Sequence, residues 1–359
     1  MNFTQLTLSL LTSIGLVLLS STTVFADDQI VEIRGNATLK RAGKAETIAR
    51  EGQRLFFGDR LTPADGSVVR VQCQNRKIPQ VRLPSGLGNI CPDSVAQRFS
   101  TRGRGEEEFL AFVNQRFNFA SQFLDASPQF RWNPDPDIKQ YRIKISPAPG
   151  NQAPIWQIVT KEPQVVYDGP PLEPGQHYRL VVSSQGSYQE KILSQFSFRV
   201  VEPESARQLK EQVSELNEAD LGTVGLSLST VNLYQAVAQP NTTPPEGVGL
   251  VMESLPVLEV LTTQEPGNPY FQRLKGDLSL QVGLIEQAAT AYDQALKLSR
   301  NELDLIEEAE ASIGLAKLAA VKGDRTSAQN YLNQAKLIYA SLNDTEMVSL
   351  LNQWLEKLY

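Results

Sequence analysis

Apolar residues recur at helical spacing through the last third of the chain. In GLIEQAATAYDQALKL the positions Leu284, Ile285, Ala288, Tyr292, Ala295 and Leu296 fall on one helical face, with Ala288 and Ala295 two turns apart. Small residues at that spacing let a second helix approach closely. The segment upstream, PYFQRLKGDLSLQV, carries its own stripe of Phe271, Leu274, Leu278 and Val282, and Gly283 stops it where the chain must turn. The predicted unit is therefore helix, tight turn, helix. It recurs in EEAEASIGLAKLAAVKGDRTSAQNYLNQAKLIYASL, where Gly323, Ala328, Leu332 and Ala335 follow Gly283, Ala288, Tyr292 and Ala295 with a period of 40, and Asp324 is a cap for the second helix. A degenerate hairpin is predicted ahead of these two, from LGTVGLSLSTVNLYQAVAQ and GVGLVMESLPVLEVLTTQ around the loop PNTTPPEG. The final segment TEMVSLLNQWLEKLY buries Met347, Leu350, Leu351, Trp354 and Leu358 and caps the stack. Stacked repeats of this kind make binding surfaces rather than active sites.

The periodicity changes to two in the first half. IVEIRGNATLKR alternates, a turn follows at AGKAE, and REGQRLFFGDRLTPADGSVVRVQCQ and VRLP continue as short Val/Leu/Ile-rich runs divided by Gly, Pro and Asp. A second alternating region runs from SPQFRWNPDPDIKQYRIKI through APIWQIV and QVVYDGPPLEPGQHYRLVVSS to FSFRVVEP. Between them TRGRGEEE reads as a polar connector and the apolar-aromatic stretch FLAFVNQRFNFASQFL as a connecting helix. The organisation predicted is multidomain: an all-β domain over 27–104, a connector over 105–124, a β-sandwich over 125–201, and an all-α solenoid of helical hairpins over 202–359 with a C-terminal capping helix.

The first 26 residues read as a signal peptide. Leu6 to Leu19 is an apolar run too short for a comfortable membrane span, and Val24-Phe25-Ala26 supplies the residues a signal peptidase reads, which puts cleavage after Ala26. The n-region has no Lys or Arg, so an uncleaved anchor is the alternative, and only then would the chain touch a membrane. Cysteine usage fits an exported, periplasmic or extracellular, chain. Cys73 and Cys91 are the two cysteines, and in an oxidising compartment they read as a disulfide, with free structural thiols as the alternative. Closing a loop of about 18 residues in this way stabilises by about 3 kcal/mol.

Three resemblances attach to these regions. Gly276, Gly283, Ala288, Tyr292 and Ala295, and again Ala316, Gly323, Ala328, Leu332 and Ala335, resemble the tetratricopeptide repeat family, although the proline closing a standard repeat is absent and the period is about six residues longer than usual. The order of Gly35, Gly52, Leu55, Gly58, Asp59, Leu61, Thr62, Ser67 and Val69 to Val71 resembles the FecR-type periplasmic domain, a small all-β module, with GDRLT as its most recognisable piece. Trp132, Tyr141 and the turn Leu172, Pro174, Gly175 before Tyr178 resemble an immunoglobulin-like or fibronectin type III sandwich. The resemblances imply a FecR-like domain that binds envelope components or transmits signals, a spacer or binding sandwich, and a protein-binding solenoid.

Charge and chemistry narrow the class. Residues 27–105 carry 14 Lys and Arg against 8 Asp and Glu, a net of +6, whereas 202–359 carry 11 against 22, a net of −11. A basic β module favours an anionic envelope polymer, and an acidic solenoid argues against nucleic acid. The single histidine, His177, enters a strand at a Pro-Gly turn with no nucleophile elbow in the chain, and reads as structural. Glu106 to Glu108 and the run Glu307, Glu308, Glu310 read as solvated faces. Asp135 and Asp137 lie in a Pro-interleaved loop and do not make a cation site, and Trp132, Trp156 and Tyr178 read as core aromatics. No catalytic residue, metal ligand or cofactor is expected. The leading reading is a non-enzymatic exported envelope scaffold, with a FecR-type regulatory component as the alternative and an envelope enzyme with a diffuse carboxylate site as the third.

Overall fold

A computed structural model of the chain describes residues 28–41, 45–55, 59–73, 78–82, 85–86, 90–91, 120–150, 152–185, 191–216, 227, 230–231, 234 and 249–358. The signal peptide, Gly58, connector residues 105–119 and most of the first helix of the degenerate hairpin lie outside the described residues.

The first module holds β1 (Gln29–Arg34), β2 (Ala37–Lys40), β3 (Thr47–Ile48), β4 (Arg60–Pro63), β5 (Val68–Gln72), β6 (Gln80–Val81) and β7 (Ser85–Gly86). They form two antiparallel sheets, ordered β1-β5-β6 and β3-β2-β4-β7. Alternation decides which side chains enter the core: Leu61 on β4 and Val69 and Val71 on β5 are buried and join Ile30, Leu39 and Val81, while Arg60 and Thr62 point outward. The Cys73–Cys91 disulfide lies in this core, with Cα atoms 5.4 Å apart.

The second β region holds β8 (Ala120–Phe123), β9 (Gln129–Arg131), β10 (Tyr141–Pro147), β11 (Trp156–Thr160), β12 (Gln164–Val166), β13 (His177–Ser184) and β14 (Ile192–Val200). One sheet runs β11-β10-β13-β14-β8, with β8 parallel to β14, and the other is the pair β12-β9. Tyr178, Leu180 and Val182 point inward from β13, and Phe123 and Phe130 pack edge-on against Phe198 with centroids 5.6 and 5.0 Å away. The Tyr178 hydroxyl accepts the Glu173 N–H at 2.8 Å, which pins the turn ahead of β13 to the strand.

The all-α region contains α1 (Pro203–Ser214), then α2 (Val251–Gln264), α3 (Pro269–Gln281), α4 (Ile285–Glu302), α5 (Leu305–Val321), α6 (Arg325–Ser341) and α7 (Thr345–Lys357). Helices α2 to α7 stack as antiparallel neighbours. Their corners repeat every 20 residues. Gly283, Leu303, Gly323 and Asn343 all have positive φ, at 76°, 55°, 77° and 57°. The residue after each donates its N–H to the carbonyl five residues back, from Leu284, Asp304, Asp324 and Asp344 to Ser279, Ser299, Ala319 and Tyr339, at 2.8 to 2.9 Å. This is the Schellman closure that satisfies a helix end. Asp304, Asp324 and Asp344 then cap the following helices by accepting the N–H groups of Glu307, Ser327 and Met347. The 40-residue repeat is thus two 20-residue steps.

The sandwich and the stack are not separate in their packing. Phe123, Phe130, Trp132 and Phe198 belong to one apolar core with Leu255, Leu258 and Leu261 of α2 and Phe271, Leu274 and Leu278 of α3. Polar contacts reinforce the joint: Gln122 N–H to the Gly249 carbonyl at 3.0 Å, and Arg131 to Glu259 at 3.2 Å. The first module keeps its own core.

Candidate functional site

The repeat residues lie inside the stack. Ala288, Tyr292, Ala295, Ala316, Ala328, Leu332 and Ala335 are all inaccessible to solvent. Gly283 and Gly323 form corners, and Gly276 faces Tyr292. A Cβ at Gly276 would lie 2.7 Å from the Tyr292 ring, and one at Gly314 on α5 would lie 2.3 Å from it. The ring therefore wedges between α3 and α5 at two points where the backbone has no side chain. Gly314 is absent from the period-40 alignment, which puts Ala316 opposite Gly276.

Around this wedge the stack buries charge. Arg273 on α3 donates to Glu307 on α5 and to Asp277 one turn along its own helix, both at 2.7 Å, and Tyr292 donates its hydroxyl to Asp277 at 2.7 Å. Tyr339 on α6 donates to Glu310 at 2.5 Å, and the Lys317 ammonium lies 5.8 Å from the Trp354 ring centroid. Burial lifts the Glu307 carboxyl above the ordinary range and the Arg273 guanidinium pulls it back. Burial also works against the charge on Arg273, but the Glu307 and Asp277 carboxylates overturn that and hold it protonated. The expectation of a solvated carboxylate run is corrected here, because Glu307 and Glu310 are each only 4% exposed. Their partners on α3 and α6 make burial tolerable. Glu308 does stay toward the surface, paired with Arg300 at 2.8 Å.

Burial also decides which surfaces the stack offers. Every α5 residue from Ala309 to Ala320 is buried, and α3 buries most of its length. The outer helices α4 and α6 keep an exposed stripe comprising Asp293, Gln294 and Lys297, then Asn330, Asn333, Gln334 and Leu337.

A further buried carboxyl lies where the sandwich meets α2. Glu253 accepts the Leu124 N–H through Oε1 at 2.7 Å, while its Oε2 is buried without a hydrogen-bond partner. Burial pushes its pKa up to about 7, with Asp125 adding to the rise and the Leu124 N–H and Lys210 opposing it. The alternation and helical patterns of the sequence carry no signal for this residue, since its surroundings come from two regions read as separate.

The remaining predicted residues fall into structural places. Cys73 and Cys91 are bonded to each other beside buried Asp28, so that cluster offers no thiolate. Asp59 of GDRLT is buried and takes a fork from Arg41 at 2.9 to 3.2 Å, Leu61 enters the core, and Arg60 turns outward. His177 begins β13 and its carbonyl accepts the Ala148 N–H at 2.8 Å. Asp135 accepts the Asp137 N–H and pairs with Lys191, each at 3.0 Å, and the two hydrogen bonds hold its carboxyl below the usual range. Trp132 and Tyr178 are buried, and Trp156 packs 5.1 Å from Tyr167 and donates to Asp168. No helix among the described residues is long and apolar enough to cross a membrane. No protein-family model matches the chain, and no curated protein matches its sequence.

Proposed function

We propose that this chain is an exported, non-enzymatic scaffold of the cell envelope, in which the helical stack holds a protein partner and the basic first module engages an anionic envelope polymer. The observation carrying this reading is the single apolar core joining Phe123 and Phe198 of the sandwich to Leu258 and Phe271 of the stack. A shared core fixes the sandwich against the helices, as a platform requires and a flexibly tethered spacer does not. The disulfide is consistent with an oxidising, exported compartment. The Tyr178 to Glu173 bond is the kind of tyrosine corner found in immunoglobulin-like sandwiches, and the Gly276, Tyr292, Ala295 packing is what a tetratricopeptide-like hairpin uses. The FecR-like reading of the first module rests on GDRLT, whose Asp59 and Leu61 both enter its interior.

In this reading the partner takes the outer stripe of α4 and α6, which the burial of α3 and α5 supports. A photoreactive amino acid placed at Leu337 or Lys297 of the exported protein tests this, since both side chains are exposed. The reading expects one reproducible cross-linked envelope protein from these positions and none from Glu204 on α1. Equal, diffuse labelling from all three would remove the partner assignment. Co-sedimentation with purified anionic envelope polymer, lost at high salt, tests the role of the first module.

A further inference from the structure

The first β module and the helical stack meet through an ionic contact. Arg60 on β4 reaches the corner between α4 and α5, 242 residues along the chain. Its Nη1 lies 2.8 Å from the Glu302 carboxylate and 3.7 Å from that of Asp304, and its Nη2 donates to the Glu302 carbonyl at 3.4 Å. Side-chain exposure is 20% for Arg60, 34% for Glu302 and 6% for Asp304, so the group is half-withdrawn from water but still open to salt.

The two joints of the molecule therefore differ in kind. Between sandwich and stack, aromatic and aliphatic side chains interpenetrate, and separating them would expose apolar surface at a cost of roughly 25 cal/mol for each Å². Among the described residues, the apolar core of the first module, Ile30 to Cys91, does not merge with either neighbouring core. Among the described residues, the ionic contact there sets the Arg60 guanidinium of the module against the Glu302 and Asp304 carboxylates of the stack. The sequence charges have the same sense, since residues 27–105 carry a net of +6 and residues 202–359 a net of −11. Such an attraction is steeply dependent on ionic strength.

We propose that Arg60, Glu302 and Asp304 form an ionic latch that closes the first β module onto the helical stack, and that its release frees the module while the sandwich and stack stay joined. The α4–α5 corner is suited to this role. Its Leu303 is held at a φ of 55° and is 80% exposed, so the corner fixes the two acids at the helix ends without being covered itself. The latch is independent of what the stack binds.

Small-angle scattering of the full chain tests the latch. Between ~0.01 M and ~1 M salt the Debye length falls from about 30 Å to about 3 Å, and over that range the radius of gyration is expected to rise. Arg60→Glu should be extended already at low salt, and adding Glu302→Arg to it should restore the compact form. Glu302→Lys alone opens the latch from the helical side, which guards against a folding defect in β4, and near-UV dichroism checks the fold of each variant. Amide exchange at Leu303 and Leu305 should quicken in the open variants. A radius of gyration unchanged by salt in the native chain, or an Arg60→Glu chain still compact at low salt, overturns the proposal.

Discussion

The ring of Tyr292 occupies the space that a side chain at Gly314 would need, with its Cε1 atom 2.3 Å from where that Cβ would lie. Helix propensity alone favours Ala over Gly by about 1 kcal/mol in a helix interior. Here the steric term has the opposite sign, because the ring is also confined by Gly276 and its hydroxyl is tied to Asp277. Gly314→Ala is expected to destabilise the stack by about 1–3 kcal/mol, an overpacking cost. Tyr292→Phe should cost about 1 kcal/mol by leaving Asp277 without that donor. Chemical denaturation followed by far-UV dichroism measures both, and a Gly314→Ala chain as stable as the parent would mean that the wedge has room to shift.

Leu303 makes the reverse prediction. It occupies the corner position that Gly283, Gly323 and Asn343 fill elsewhere, and a β-carbon at that φ costs roughly 1–2 kcal/mol. Its side chain is 80% exposed and contributes little packing in return. Leu303→Gly should therefore stabilise the chain by a net of about 1 kcal/mol after the larger entropy of an unfolded glycine is subtracted, seen as a higher melting temperature. Leu303→Asn, copying position 343, should do so by less. A lower melting temperature in both would show that Leu303 holds the corner by contacts other than backbone geometry.

The Arg273–Glu307 pair predicts strong non-additivity. Both side chains are nearly inaccessible, at 5% and 6%, so Arg273→Met leaves carboxylates buried without their counter-charge and should cost about 3–5 kcal/mol. Glu307→Leu should cost a similar amount by stranding part of the Arg273 fork. Replacing both removes two buried charges together, and the double variant should be more stable than Arg273→Met alone. A denaturant titration of the two single and the double variants measures the coupling. Costs that simply add would mean the pair is not an interacting unit.

These pairs also mark what was legible in the sequence. The hairpins were, because Phe271, Leu274, Ala288, Tyr292 and Ala295 are packing residues whose spacing is the signal itself. The 20-residue step was hidden because one of its four corners carries Leu303, a residue that turn chemistry does not favour. Gly314 escaped because alignment at period 40 sets Ala316 against Gly276, whereas the ring reaches two residues earlier. Glu307 read as solvated since its partner Arg273 lies 34 residues away, and local pattern reports only neighbours on one helix. The disulfide was legible from the count of two cysteines together with the expectation of export. The core shared by sandwich and stack was not, because an alternating strand and an amphipathic helix each look complete with one buried face, and neither pattern names the surface that covers it.

Glu253 gives that shared joint a pH dependence. Its carboxyl titrates near about 7 in the folded chain against an ordinary 4.5, raised chiefly by burial, while Lys210 and the Leu124 N–H hold it from rising further and Asp125 and Tyr234 complete its charged and titratable surroundings. Between those two values the folded chain retains a proton that the unfolded chain has lost. Stability from this group is therefore fully present below about pH 4.5, falls as pH rises through the window, and reaches a constant deficit above about 7. At about 1.4 kcal/mol per unit the whole change is roughly 3 kcal/mol. Glu253→Gln keeps an acceptor for the Leu124 N–H and cannot ionise. It should lessen the fall in stability across that window, where Glu307 also contributes, and leave the variant more stable than the parent above neutral pH. Denaturant titrations at a series of pH values decide the matter: the same slope in parent and Gln variant would assign the dependence to another group.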